Sequence, residues 1–561
     1  MFAEKPTEFA LTIKPPSGRE GDRENGGRSP RNFGIAANKH SVINSKKNIY
    51  RRPILTTASI NDIIKKYKIN HPEAEMKPRH ILIIMTDQCR ADALGAYGNT
   101  YAQTPAIDEI ASGAAIFNRA VTPSPVCVPA RLSLLAGQYV NRTGNANNNP
   151  KTCYTGEGFY SMLTRAGFES CCVGKMHHVW DRYGLMGFGS RHTQEELSNP
   201  EDDYTKYIEN SPYKNVFDYN GQRSDMYYVP QVSQLPAEAH PTQWIGDRSV
   251  EFIEKCDPEK PMFLMSSFIH PHPPFCPPAP WNKLFRDMPE APFVPEETPD
   301  LKFLLPPAFD LDNVLCMTDH DIRRAKNYYY ACVSFMDYQI GRITDALKAK
   351  GMYDDTAILF IADHGETLGD YRHTGKRTML SCANRIPFIL RVPGMEGGER
   401  TDPVSLVDVA PTLLSLFGVD YDPAEFDGID ILSGKHSEVY SQYECGEKAC
   451  YMVAGAEDKL IYNASNNKYA YFAECPEHID RYAEGGERVE YLKTLLDAHI
   501  AADRCSEAKN PNKGAGKAEK KEKIHGFGHA RMDHQARHDE EAACIPPQYK
   551  IDLRRFVGDD T

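Results

Sequence analysis

The chain has 561 residues, a formal net charge of −12 and 25% charged against 41% hydrophobic residues, the balance of a soluble globular protein with more than one small core. That acidity argues against a nucleic-acid-binding surface over the whole molecule; apolar runs such as Ile81–Met85 are far too short to span a bilayer, and residues 1–30 lack the apolar stretch of a secretory signal. Fifteen cysteines with no regular spacing and no CxxC pair indicate neither a zinc ribbon nor a disulfide scaffold, so the expectation is a cytoplasmic enzyme with reduced thiols and with no nucleic-acid or membrane partner.

In chain order, residues 1–78 read as a polar N-terminal extension. Pro15 to Arg31 is rich in Gly, Pro and charge, and 57–70 carries one short helix pattern capped by Ser59 or Asn61. A catalytic domain over 79–425 opens with the apolar strand 81–85, after which strand and helix patterns alternate. Strands are predicted at Glu169–Val173, Met262–Phe268, Ala357–Ala362 and Phe388–Val392, with helices at Thr242–Lys255 and Ala325–Lys350. This alternation predicts an α/β fold, a large mainly parallel sheet flanked by helices. Residues 426–505 change to shorter strands, Tyr451–Ala454 and Lys459–Asn463, and a helix over Gly486–His499, which predicts a smaller α+β subdomain. Residues 506–561 form a polar tail with a Lys-, Gly- and Ala-rich loop at 509–523. Its His525, His529, His534 and His538 fit a solvated helix better than a metal site, given the Gly between them. Tyr328, Tyr329, Tyr330, Phe335 and Tyr338 are assigned to core and helix packing.

The residues just beyond the strands carry the chemistry. The predicted strands lead into Asp87-Gln88, into Lys175-Met-His177, into His270-Pro-His272 and into Asp363-His364-Gly-Glu366. Ligands in open α/β sheets bind outside the carboxyl ends of strands, so four strand ends deliver carboxylates, imidazoles and an ammonium to one edge. Asp87, Gln88, Asp363 and His364 form a candidate metal set, whose oxygens suit calcium or magnesium while the imidazole tilts it toward manganese or zinc. A lone Asp after a strand is more often a turn or helix cap; the matched set is what favours a metal. Pro129 fits the first turn of a helix, which places Cys127 just outside its N-terminus, where backbone amides favour an anion or thiolate.

These residues resemble the sulfatase family. Cys127-Val-Pro129-Ala-Arg131 is similar to its Cys-x-Pro-x-Arg signature, and Thr86-Asp87-Gln88 lies in a stretch resembling its first metal motif. Gly174-Lys175-Met-His177, Pro271-His272-Pro-Pro-Phe275, Asp363-His364-Gly-Glu with Lys376, and Ser405-Leu-Val-Asp408-Val-Ala-Pro411-Thr412 are similar to further family elements over roughly 80–500. Ala130 replaces a common Ser, Ala136 a common Thr, Gln88 a second Asp and His364 a common Asn. The Asp-Gln and Asp-His pairs resemble the phosphonate monoester hydrolase and choline sulfatase branches.

The resemblance implies an alkaline phosphatase-like fold and hydrolysis of a small-molecule or saccharide sulfate ester. It implies formylglycine at Cys127, made by formylglycine-generating machinery, and one divalent metal ion on Asp87, Gln88, Cys127, Asp363 and His364, with calcium first and manganese or zinc as alternatives. Further implied are Arg131 and Lys175 holding the hydrated formylglycine and Lys376 the sulfate oxygens. His272 would protonate the leaving alcohol, and His177 would take a proton from the second hydroxyl so that sulfate is expelled. The alternatives are a phosphonate monoester or phosphodiester hydrolase with the same site, or a non-catalytic sulfate-ester-binding protein if Cys127 stays a thiol.

Overall fold

His80–Asp87 is buried at every position, as a strand covered on both faces requires. In the computed structural model, which describes residues 77–505 apart from 149–153, 155, 179–180, 224–225, 286–298, 313–314 and 474–476, this strand lies at the middle of the main sheet. The helix expected at 57–70, the loop at 509–523 and the four tail histidines lie outside the described residues.

The strands in chain order are β1 (His80–Asp87), β2 (Ala115–Phe117), β3 (Ala120–Val121), β4 (Glu169–Gly174), β5 (Ser190–Thr193), β6 (Met262–Pro271), β7 (Thr356–Ala362), β8 (Phe388–Arg391) and β9 (Gly398–Arg400). Eight of them form one sheet in the order β5-β4-β6-β1-β7-β8-β2-β9. Pairings from β5 through β7 are parallel; β8 runs antiparallel to both neighbours. Thr86 stands opposite Phe268 on one side and Ala362 on the other, and Gly174 opposite Ser267, so the carboxyl ends of β4, β6, β1 and β7 form one edge.

Three further elements position the site. Helix α1 (Cys127–Ala136) is buried at every residue, and Gly137 ends it in the left-handed region at φ 62°, as a helix-terminating glycine does. Helices α2 (Pro241–Lys255) and α3 (Asp319–Ala349) pack on each other and on β6. Helix α3 runs six residues further toward its N-terminus than the predicted Ala325, because Thr318 and Asp321 close a capping box there. Of the tyrosines assigned to packing, Tyr329 is fully buried, whereas Tyr338 is 50% exposed and lies against Trp281 at the surface.

A four-stranded antiparallel sheet comes next, β11 (Val439–Tyr443), β12 (Cys450–Ala454), β13 (Lys459–Asn463) and β14 (Lys468–Phe472), after the short β10 (Val404–Ser405) that pairs with β3. Helix α4 (Glu487–Ala501) packs on β12 and β13. This sheet reaches the segment that leads to Cys127: the Gln442 amide donates to the Pro123 carbonyl at 3.0 Å, and Asn384 Nδ2 donates to Ser441 Oγ at 2.8 Å. No helix among the described residues is long and apolar enough to cross a membrane.

Gly174 is the tight point of the site edge. Its φ is +99°, and a Cβ there would stand 2.1 Å from the Ser267 carbonyl oxygen. Gly174→Ala is therefore expected to cost at least about 1–3 kcal/mol and lower the Tm. An unchanged melting curve would contradict the close approach of β4 and β6.

Candidate active site

At the carboxyl edge the chain turns sharply out of each strand. Gln88 after β1 and His177 after β4 both take positive φ, 65° and 59°, a conformation that non-glycine residues hold only when surroundings impose it. The surroundings are visible. The Gln88 amide donates to Asp363 Oδ1 at 3.0 Å, and the Met176 and His177 amides both donate to Glu195 Oε1 at 3.1 Å.

Cys127 occupies the centre. It is the first residue of α1 rather than a residue outside it, because Val126 takes the extended cap position without a side-chain hydrogen bond. Arg131 comes one helical turn later, so residues four apart place the thiol and the guanidinium on one face, which gives the Cys-x-x-x-Arg spacing its physical meaning. Lys376 Nζ lies 2.9 Å from Cys127 Sγ, His364 Nε2 at 3.2 Å and Asp87 Oδ1 at 3.8 Å. Burial first, then Asp87, pushes the Cys127 thiol up to about 11 against the pull of Lys376 and Lys175.

The two aspartates are oriented by the same cation. Arg131 Nε donates to Asp363 Oδ2 at 2.8 Å and its Nη2 to Asp87 Oδ2 at 3.3 Å, while Nη1 donates to the Lys175 carbonyl and to Ser267 Oγ. Lys175 Nζ also pairs with Asp87 Oδ2. Burial raises the Asp87 carboxyl, but Lys175, His272, Lys376 and Arg131 together outweigh it and hold it well below the usual carboxylate range. Asp87 Oδ1 faces Cys127 and His364, while Asp363 Oδ1 accepts from the Gln88 and His364 amides and lies 3.6 Å from His364 Nε2.

This donor set fits a divalent cation. Ligand atoms of Asp87, Cys127, Asp363 and His364 lie within 4.8 Å of one another. The His364 Nδ1–H donates to the Gly365 carbonyl at 2.9 Å, so the Nε2 lone pair faces the cluster, and burial keeps the ring neutral by lowering its pKa to about 4. Gln88 Oε1 is buried with no hydrogen-bond partner, while its Nε2 is held by Glu366 Oε2. A buried amide oxygen without a partner, on the residue that follows Asp87 and whose backbone amide is held by Asp363, is a donor that a cation could satisfy. Glu366 also accepts from the Leu368 and Gly375 amides and from Thr374 Oγ1, tying Gln88 to the loop that presents Lys376.

The remaining two predicted residues face a side chain that no motif announces. Glu196 Oε1 pairs with Lys175 Nζ and lies 3.7 Å from both His177 Nδ1 and His272 Nε2, and its Oε2 accepts from Arg223 at 3.1 Å. His272 Nδ1–H donates to the Pro273 carbonyl at 2.6 Å, which turns Nε2 into the site, where Tyr227 Oη lies at 3.4 Å. His270 is not part of the cluster: its Nδ1 meets Thr242 Oγ1 at 2.9 Å and its Nε2 meets Cys276 Sγ at 3.6 Å. The site thus brings together the ten residues proposed from the sequence and Glu366 of the same motif, with Glu196, Arg223 and Tyr227, which the sequence did not single out.

The family model described as Sulfatase matches residues 79–419, the stretch that carries this site. The chain belongs to the sulfatase family. Among curated sulfatases, it is 28% identical over 462 residues to the arylsulfatase of Clostridium perfringens (strain 13 / Type A), covering 75% of this chain and 94% of that one. It is also 28% identical over 431 residues to the choline-sulfatase of Rhizobium meliloti (strain 1021), covering 71% and 79%. The fold is similar to that of the phosphonate monoester hydrolase of Agrobacterium radiobacter, with a TM-score of 0.65, 21% identity, and coverage of 76% of this chain and 96% of that one. As a sulfatase with an alkaline phosphatase-like sheet, the protein is a sulfuric ester hydrolase.

Proposed function

We propose that this sulfatase cleaves a sulfate monoester through residue 127 in formylglycine form, beside one divalent cation held by Asp87, Gln88, residue 127, Asp363 and His364. The observation that carries the reading is the position of Cys127. Lys376, His364 and Asp87 converge on it, with Arg131 one helical turn later on the same helix. A formylglycine at this position would use that convergence: its hydrate supplies a hydroxyl nucleophile and, through its second hydroxyl, an exit for sulfate. Conversion requires formylglycine-generating machinery as a partner. Calcium is the first choice of cation and manganese or zinc are alternatives, because the set mixes hard oxygens with one imidazole. When bound, the cation supplies Lewis-acid charge at the transferring group.

The chain's own residues divide the remaining work. Arg131 is engaged by both aspartates, so its role is to orient the carboxylates rather than to hold the hydrate alone. Lys376, within 2.9 Å of Sγ, faces the oxygens of the incoming sulfuryl group, and Lys175 holds Asp87 and Glu196 beside residue 127. His272 presents Nε2 toward the leaving oxygen and gives it a proton; His177 takes a proton from the second hydroxyl of residue 127.

A panel of aryl sulfate, aryl phosphonate monoester and phosphodiester substrates tests the assignment on purified protein. The highest kcat/KM is expected on sulfate, and Cys127→Ala should abolish it. A strong preference for the phosphonate would transfer the same machinery to the alternative reaction.

A further inference from the structure

We propose that Glu196 is a proton relay that returns a proton from His177 to His272 between turnovers. The proposal rests on the roles given above to those two histidines. In each cycle His272 Nε2 loses a proton to the departing alcohol and becomes neutral. Later in the cycle His177 gains one from the residue-127 hydroxyl as the carbon–oxygen double bond re-forms and the bond to sulfate breaks. Re-addition of water to the aldehyde and loss of one proton to solvent restore the starting hydrate. The ester and water have then become alcohol, sulfate and one released proton. One mismatch remains: the second imidazole carries the proton that the first must have before the next ester can be cleaved.

The geometry places one carboxylate oxygen between the two rings. Glu196 Oε1 lies 3.7 Å from His177 Nδ1 and 3.7 Å from His272 Nε2, just beyond hydrogen-bond reach of each, so a small rotation closes either contact. The nitrogens that face it are His177 Nδ1 and His272 Nε2, the second of which also meets Tyr227 Oη at 3.4 Å. His177 Nδ1 is buried without a hydrogen-bond partner, and His272 Nε2 is the nitrogen left over after Nδ1–H is fixed on Pro273. Glu196 is itself anchored: Lys175 Nζ pairs with Oε1 and Arg223 with Oε2, with the Arg223 guanidinium over the Tyr227 ring at 5.4 Å. These groups, with Cys127 within 4.8 Å and Tyr227 on His272, are its charged and titratable neighbours among the described residues. Glu196 and His272 are 15% and 2% exposed at the side chain, so proton exchange with dilute solvent species is slowed and an internal route has a function.

Glu196 acts through the imidazoles and not on the ester, so the test must separate proton return from packing. Glu196→Gln keeps the size but turns one of the two acceptors, for Lys175 or for Arg223, into a donor, and it cannot carry the proton; Glu196→Asp keeps the carboxylate. With an alkyl sulfate, the first turnover of Glu196→Gln should fall far less than its steady-state rate, which should drop by about 10²-fold, the scale of acid–base catalysis. Raising the concentration of an imidazole buffer should restore the steady-state rate of Glu196→Gln and leave the wild type unchanged, while Glu196→Asp should recover part of the rate without buffer. First-turnover and steady-state rates that fall together with no response to buffer, or a Glu196→Gln rate equal to wild type, would overturn the relay while leaving the sulfatase reading standing. Turnover that is unchanged in both His272→Ala and His177→Ala would overturn the relay together with the histidine roles it rests on.

Discussion

Replacing Asp87 or Asp363 by Ala is expected to remove the bound cation and sulfate-ester turnover together. The two aspartates come from the ends of β1 and β7, 276 residues of chain apart by number, yet they share Arg131 and both aim an oxygen at the Cys127–His364 cluster. A cation contributes several kcal/mol at the transferring group, so turnover should fall by about 10³-fold or more. Stability should fall as well, since each substitution strands buried cationic partners, Lys175 and Arg131 at Asp87 or Arg131 at Asp363; breaking a buried pair costs about 3–5 kcal/mol. Elemental analysis of the folded fraction separates the two effects. A full complement of metal in either folded variant would remove that aspartate from the cation site.

The second large effect is expected at His272 and depends on the leaving group. If Nε2 protonates the departing oxygen, His272→Ala should slow alkyl sulfates far more than nitrophenyl sulfates, because a good leaving group departs as its anion unaided. The gap should approach about 10²–10⁴-fold, the usual worth of general acid catalysis. Lys376→Ala removes charge that both substrates use, so its penalty should be nearly equal for the two. Burial lowers the His272 pKa well below its ordinary range; Glu196 opposes this, and Lys376 adds to it. Equal penalties for His272→Ala along a graded ester series would move the general acid to His177, since His270 is bound to Thr242 and Cys276 away from the cluster.

Much of this site is legible in the sequence because strand ends carry it. The buried apolar runs locate β1, β4, β6 and β7, and parallel pairing then forces Asp87, Lys175, His272 and Asp363 onto one edge. The short strands β2, β3, β9 and β10 have two or three residues each and leave no periodicity to detect. The antiparallel β8 looks in sequence like any other buried strand, since pairing direction is not written in apolar content. Helix α1 starts earlier than its Pro129 suggests because Val126 offers no capping side chain, so nothing in the sequence marks the boundary. Glu196 is invisible for a different reason. It lies after β5 in a loop with no recognisable pattern, and its meaning comes only from the fold, which brings Lys175, His177, Arg223 and His272 around one carboxylate.

The central claim is that residue 127 of the working enzyme is no longer a cysteine. Mass spectrometry of the peptide containing residue 127, on protein made in its own host and shown to hydrolyse a sulfate ester, measures this directly. Replacement of the thiol by an aldehyde predicts a mass lower by about 18 Da than the unmodified peptide. A fully active preparation in which that peptide carries only an intact cysteine would contradict the formylglycine mechanism.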